Sequence, residues 1–322
     1  EELVGYVAER HLRAIRDTGH RLVAALDPHD SVGILDRYFA DVAFFTEYER
    51  FDRHLELLRR QGPEHRAHFL SICSPNHLHD AHIRLALRLG ADAICEKPVV
   101  LNPWNLEALA DLEAATGSAV HTVLQLRVHP ELMELKRELD GADTSVRHRV
   151  CLTYITPRGP WYAYSWKGDP EKSGGIVTNI GIHLFDRLFW LFGGVKHSEL
   201  HISGAARAGG LLALPRADVT CYLSIDGRDL GRNGLADERS RSMVVDGRTV
   251  DFTDGFDDLH TRIYEEVLAG RGFGLEDARP SIALVERLRS ARVERSSGLP
   301  MFATEAGRAL INSGVLRRRD ES

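Results

Sequence analysis

The chain has 322 residues, 43% hydrophobic and 27% charged, enough for a substantial core and for about two domains of ~100–200 residues each. Its net charge of -6 supplies no basic stripe for nucleic acid or anionic lipid, and no apolar run approaches the ~20 residues of a membrane span. Neither partner is expected. The four cysteines, Cys73, Cys95, Cys151 and Cys221, lack CxxC spacing. With Cys73 and Cys95 inside apolar runs, all four read as reduced core residues of a cytoplasmic protein. No signal or transit segment is visible.

In chain order, Tyr6 to Thr18 carries apolar residues near helical spacing, and Arg21 to Asp27 is an apolar run ending on a carboxylate. The pattern predicts a helix followed by a strand. It further predicts helices over 51–60, 76–90 and 102–117, with strands over 68–73, 92–96 and 119–123. Asn76 serves as a helix N-cap in this reading, Gly90 as a helix end and Asn102-Pro103 as a helix start. Such alternation implies βαβ crossovers and a parallel sheet, with ligands outside the carboxyl ends of the strands. Asp27, Ser74-Pro75-Asn76 and Glu96-Lys97-Pro98 all fall at that edge.

Past about residue 125 the texture becomes β-rich, at 148–155, at 217–225, and at 243–245 with 249–252 around an Asp246-Gly247 hairpin turn. Helices are expected over 180–192, 258–269 and 282–293. The division places an α/β domain at 1–125 and an α+β domain with an open, largely antiparallel sheet at 126–322. An open sheet in such a domain suits self-association. The tail from Arg317 to Ser322 is charged and reads as solvated.

Individual residues at the sheet edge suggest chemistry. Asp27 is placed to accept hydrogen bonds from an adenosine ribose and to repel a 2'-phosphate, favouring NAD over NADP, although a plain turn aspartate before Pro28 would look the same. Lys97 ends an apolar strand, and Pro98 stiffens the loop beneath it. The plain alternative is a loop lysine paired with Glu96. His183 lies in a glycine-flanked helix where Asp186, three residues on, can share its face and orient the ring; a satisfied histidine within an apolar helix is the alternative. A lysine and a histidine beside a nucleotide are what alcohol-to-ketone oxidation needs, one orienting the hydroxyl and one taking its proton as hydride leaves. Among the sixteen histidines none shows HExxH-like spacing, and His77, His79 and His82 read as a turn and a helix face, so no metal is expected.

The order of elements, the Ser74-Pro75-Asn76 turn, the Glu96-Lys97-Pro98 triplet and the Gly181-Ile182-His183-Leu184-Phe185-Asp186 segment resemble the glucose-fructose oxidoreductase, inositol dehydrogenase and rhizopine-catabolism (Gfo/Idh/MocA) family across nearly the whole chain. Leu124-Gln125-Leu126-Arg127, the stretch from Thr153 to Pro170 and Phe256-Asp257-Asp258-Leu259-His260-Thr261 resemble one branch, the dehydrogenases acting at C3 of UDP-N-acetylglucosaminuronate in bacterial surface-polysaccharide (O-antigen) synthesis. The resemblance implies a Rossmann domain, bound NAD, an open-sheet second domain and homo-oligomers, dimer or tetramer, formed through that sheet.

It also implies roles. Lys97 and His183 match the catalytic pair, and both would touch substrate. Gly5, Tyr6, Val7, Asp27, Ser74, Asn76, His79, Glu96, Lys97, Gln125 and Arg127 match positions around the cofactor. Asn179 stands where many members carry an aspartate, which fits this branch. Arg158, Tyr162, Trp166 and Lys167, in an aromatic and cationic segment, are candidates for gripping a uronate carboxylate and a pyrophosphate; an ordinary surface loop is the alternative. A 2-oxo acid such as 2-oxoglutarate is implied as the re-oxidant of NADH. Another sugar or polyol as substrate, and a catalytically silent ligand-binding relative, are the alternatives.

One departure stands out. Members of the family begin with a buried strand and a glycine-rich turn, whereas this chain opens Glu1-Glu2-Leu3-Val4-Gly5 and retains only the last glycine of the turn. A truncated chain is the expected reason. Losing a central parallel strand would leave neighbouring backbone groups unpaired and remove part of the pyrophosphate cradle.

Overall fold

A computed structural model describes residues 5–30, 32–232, 240–250 and 256–294. The segment 251–252 of the last expected strand and the charged tail lie outside these residues. The chain divides into two compact units. The first comprises Glu1–Ser74, Leu78–Val128 and Phe256–Ala278, and the second comprises Pro75–His77, His129–Gly255 and Arg279–Ser322. Residues 256–278, which the sequence texture assigns to the second domain, therefore cluster with the first.

The first unit alternates as the pattern predicts, through α1 (Gly5–Asp17), β1 (Ala24–Leu26), β2 (Ala43–Phe45), α2 (Tyr48–Arg60), β3 (Phe69–Ile72), α3 (His79–Arg88), β4 (Asp92–Cys95), α4 (Pro103–Thr116) and β5 (Val120–Thr122). All its strand pairs are parallel, but they form two sheets, β1-β2 and β3-β4-β5. Both sheets feed one apolar cluster, in which Ala24, Leu26, Phe45 and Leu70 pack against Phe51, Leu55, Leu85 and Leu89. Among the described residues no strand joins them. Pro103 at the start of α4 and Gly117 just past its end delimit that helix as the sequence indicates. One expectation is corrected here. Asn76 does not cap α3, whose N-cap is Leu78 with no side-chain bond; the Asn76 amide is committed elsewhere.

The second unit contributes α5 (Pro130–Gly141), β6 (His148–Ile155), α6 (Trp161–Tyr164), α7 (Pro170–Ser173), α8 (Ile182–Phe192), β7 (His197–Ser203), β8 (Arg207–Ala213), β9 (Ala217–Ser224), α9 (Arg228–Arg232), β10 (Ser240–Val245) and β11 (Arg248–Val250). Its sheet runs β11-β10-β6-β9-β8-β7. Only β6 and β9 pair in parallel; every other neighbour is antiparallel. Asp246 and Gly247 both take positive φ, 50° and 88°, as a two-residue hairpin turn demands. Two elements follow β11. Helix α10 (Leu259–Leu268) packs on α1 in the first unit, where Leu259, Ile263, Tyr264 and Val267 share a core with Ala14, Ile94, Val123 and Val128. Helix α11 (Leu275–Ser290) follows it.

All four cysteines are free; Cys95, Cys151 and Cys221 are buried. Cys73 is a correction, since it lies one residue past β3 and is exposed. No helix among the described residues is long and apolar enough to cross a membrane.

Candidate active site

In the first unit the residues singled out by sequence gather at strand ends. Asp27 follows β1; its N–H donates to the Phe45 carbonyl at 3.0 Å, and its Oδ1 accepts from the His29 N–H at 2.8 Å. Partial burial raises its carboxyl pKa against the effect of that hydrogen bond. Past β3, Ser74 Oγ bonds His82 Nδ1 at 2.9 Å. His79 is fully buried, with Nδ1 2.7 Å from the Pro98 carbonyl and Nε2 2.8 Å from the Ser74 carbonyl. The ring thus ties the loop after β3 to the loop after β4. Burial lowers its pKa, while the two carbonyls and Glu96 work the other way.

Lys97 is half-buried and is joined to Pro98 by a cis peptide bond. Glu96 Oε1 lies 2.7 Å from His260 Nε2 and 3.4 Å from His11 Nε2. Burial alone would raise the Glu96 pKa, but hydrogen bonds from His11 and His260 hold it well below the usual range. Sequence reading singled out neither partner as functional, although His260 belongs to a stretch carrying the branch resemblance. The three ligand atoms fall within 4.8 Å of one another, but 2.7 Å between His260 and Glu96 is direct hydrogen-bond spacing.

Gln125, after β5, holds a buried Oε1 with no hydrogen-bond partner. Arg127 is committed to Asp277, with Nη1 2.6 Å from Oδ1, and its guanidinium lies 5.2 Å from the Phe273 ring centroid. Gly5 opens α1, and Val7 on that helix is exposed. The side chain of Tyr6 lies outside the described residues.

In the second unit a different set converges. Residues 177–181 form a single π-helical turn leading into α8, and Asn179 sits on it. Such turns recur at functional sites because the extra residue re-aims a side chain. Asn179 Nδ2 donates to the Tyr162 hydroxyl at 2.9 Å. Asn76 Nδ2 donates to the Ser173 carbonyl at 2.9 Å and reaches Asn179 Oδ1 at 3.4 Å. Tyr162 is buried, which raises its pKa; the Asn179 hydrogen bond and the Arg158 charge oppose this. Arg158 is exposed and Trp166 half-buried, while Lys167 Nζ lies 5.1 Å and 5.6 Å from the Trp161 and Trp166 ring centroids, within cation–π range.

Gly174 terminates α7 in the left-handed region at φ 79°. A Cβ there would meet Thr178 Cβ at 2.6 Å, so glycine is needed both for the turn and for the close approach. His183 is half-buried on a helix most of whose other residues are buried. The imidazole departs from the apolar, buried pattern of that helix.

Two family models match this chain, an oxidoreductase family NAD-binding Rossmann fold over residues 3–123 and the C-terminal α/β domain of the same family over residues 148–218. The chain belongs to the Gfo/Idh/MocA oxidoreductase family. Among solved structures, the Thermus thermophilus WlbA (WbpB) dehydrogenase in complex with NAD and alpha-ketoglutarate is 49% identical. The match covers 92% of this chain and 95% of that one, with a TM-score of 0.86. The same enzyme solved with NAD and UDP-GlcNAcA matches at 48% identity over the same shares, again with a TM-score of 0.86. Curated relatives match over shorter stretches. The inositol 2-dehydrogenase of Rhizobium meliloti is 27% identical over 48% of this chain and 44% of its own length. A putative UDP-kanosamine synthase oxidoreductase subunit of Amycolatopsis mediterranei is 32% identical over 42% of this chain and 40% of its own. The chain spans less than half the length of these two relatives. As a member of the family it carries an NAD-binding Rossmann domain and a second, mixed-sheet α/β domain.

Proposed function

We propose that this protein oxidises the C3 hydroxyl of UDP-N-acetylglucosaminuronate to the 3-keto sugar with NAD. The observation that carries this reading is the 49% identity, over 92% of the chain, to a dehydrogenase solved with NAD and also with UDP-GlcNAcA. A role in surface-polysaccharide synthesis in the cytoplasm follows from that substrate.

The residues fit a dinucleotide. The half-buried Asp27 carboxylate and the buried, unpartnered Gln125 Oε1 are acceptors following parallel strands, where hydroxyl and amide donors of such a ligand would be met. Asp27 would take the adenosine ribose hydroxyls; Ser74, Asn76, His79, Lys97, Gln125 and Arg127, with Gly5, Tyr6 and Val7 at the start of α1, would surround or frame the rest, with Glu96 behind Lys97. When bound, NAD supplies the hydride acceptor. His183 Nε2 or Nδ1 accepts the C3 hydroxyl proton while Lys97 Nζ hydrogen-bonds the same oxygen, and the two groups can exchange these roles. Asn179 and Tyr162 would orient the sugar through their shared hydrogen bond. Arg158, Lys167 and Trp166 would receive the carboxylate, the pyrophosphate and a flat face of the nucleotide.

A 2-oxo acid such as 2-oxoglutarate would re-oxidise the bound NADH, a reading supported by the alpha-ketoglutarate held by the Thermus enzyme. A homodimer or homotetramer would form through the six-stranded sheet. A second reading, oxidation of an inositol or another sugar, is supported by the resemblance to inositol 2-dehydrogenase.

Mass spectrometry of UDP-N-acetylglucosaminuronate after incubation with the protein, NAD and 2-oxoglutarate tests the first reading. Product lacking two hydrogens supports it. An unchanged uronate alongside an oxidised inositol supports the second.

A further inference from the structure

We infer that Glu96 is the positioning residue of the Lys97 loop, its carboxylate locked by His11 and His260 rather than offered to the cofactor. The inference rests on the reading of Lys97 as a group that touches the reacting hydroxyl.

Proton accounting supports it. An ionised carboxylate only accepts, so His260 Nε2, at 2.7 Å, donates to Glu96 Oε1, while His11 Nε2 faces the same oxygen at 3.4 Å, outside hydrogen-bond geometry, where the negative charge favours the tautomer protonated at Nε2. In a neutral His11 ring Nδ1 is then an acceptor, and the Tyr264 hydroxyl, 2.8 Å away, donates to it. The Tyr264 oxygen in turn accepts from Ser71 Oγ at 2.5 Å. A directed line therefore runs from Ser71 through Tyr264 to His11, whose other ring nitrogen faces Glu96 at 3.4 Å. Burial lowers the His11 pKa and raises that of Tyr264, which agrees with a neutral ring and an intact phenol.

The geometry is convergent. His11 comes from α1, His260 and Tyr264 from α10 and Ser71 from β3, and the two imidazoles meet edge to face with centroids 5.0 Å apart. The histidine side chains are only 3% and 4% exposed. Three elements thus meet on the residue that precedes Lys97. On the other side, His79 holds the Pro98 carbonyl at 2.7 Å, and the Glu96 N–H donates to the Ile72 carbonyl at 2.9 Å. Both neighbours of Lys97 are gripped. A largely buried carboxylate is costly to desolvate, and the His260 hydrogen bond with His11 close by holds its Oε1 in one place, which fixes the base of the lysine side chain.

The test compares wild type, Glu96→Gln and Lys97→Ala, with NAD affinity measured by titration calorimetry beside turnover and with imidazole N–H protons followed by NMR. Wild type should show protected N–H protons from His11 and His260 at neutral pH, lost or shifted in Glu96→Gln. That variant should hold NAD within about 3-fold of wild type while kcat falls about 10-fold or more, with part of the rate recovered in Glu96→Asp. An NAD affinity that weakens while kcat stays intact would mean that Glu96 contacts the cofactor, and would overturn the inference. So would rapid exchange of both imidazole protons in wild type. Near-native turnover in Lys97→Ala would instead overturn the reading beneath it, whereas near-native turnover in Glu96→Gln with Lys97→Ala impaired would remove the inference alone. Should Glu96→Gln fail to fold, His260→Asn removes one donor and is judged by the same readouts.

Discussion

The loop of Glu96, Lys97 and Pro98 and the segment from residue 157 to 183 hold their candidate side chains by different means. The loop hangs from a parallel strand and is fixed by buried imidazoles, with His11 and His260 on Glu96 and His79 on the Pro98 carbonyl. The segment is built from two single-turn helices, a left-handed glycine and a π-helical turn, and its aromatic and cationic groups are largely exposed or half-buried. The first arrangement suits a group whose position must be repeatable to a fraction of an ångström. The second suits groups that follow the outline of a ligand. Under the proposed assignment the rigid strand end carries Lys97, while the helical turns carry His183 together with the groups proposed for recognition.

The largest expected effect lies in the pair itself. Lys97→Ala and His183→Ala should each lower turnover by ~100-fold or more with the fold retained, read by steady-state kinetics beside circular dichroism. Equal retention of activity in both would remove the proposed pair and with it the reason for comparing the two regions. Next, Gly174→Ala should destabilise by about 2 kcal/mol in urea unfolding, because a Cβ at φ 79° meets Thr178 at 2.6 Å. No loss of stability would show that this turn tolerates other backbones. Arg158→Ala should raise KM for the uronate about 10-fold while leaving a neutral UDP-sugar nearly unaffected. An equal rise for both would deny it the carboxylate.

A pH series sharpens the comparison with the smallest effect. Burial lowers the pKa values of His11, His79 and His121 below 6.5, so the unfolded chain takes up protons there first. Stability conferred by these neutral rings is present above about pH 6.5 and is lost as pH falls below it. Glu96, held well below 4.5, adds stability that is lost at still lower pH. The unfolding temperature should fall between pH 7.5 and 5.5, at roughly 2–4 °C per kcal/mol of linkage, and His11→Asn should flatten that slope. A temperature that rises on acidification would contradict the burial of these rings.

The sequence makes the alternation of the first unit plain, because strand and helix periods differ and Pro103 and Gly117 mark boundaries by their own backbone restrictions. The same holds for Asp246-Gly247, whose positive φ values follow from residue type. The strands at 197–203 and 207–213 and the helix at 130–141 were missed; the second strand carries Gly210, where the neighbouring Glu199 backbone leaves no room for a side chain. Lys97 and His183 stand out in the sequence as departures from apolar patterns. The His11 and His260 grip on Glu96 does not, since it joins residues up to 249 positions apart through tertiary packing, and the helix bearing His260 belongs to the first unit despite its place late in the chain. Asn76 misled for a related reason: its amide makes a distant bond to Ser173 where local propensity favours a cap.

The most direct test of the central claim uses UDP-N-acetylglucosaminuronate deuterated at C3. The account predicts that the deuterium appears on the reduced nicotinamide and that the transfer slows relative to protium. Oxidation with the deuterium retained on the sugar would contradict it.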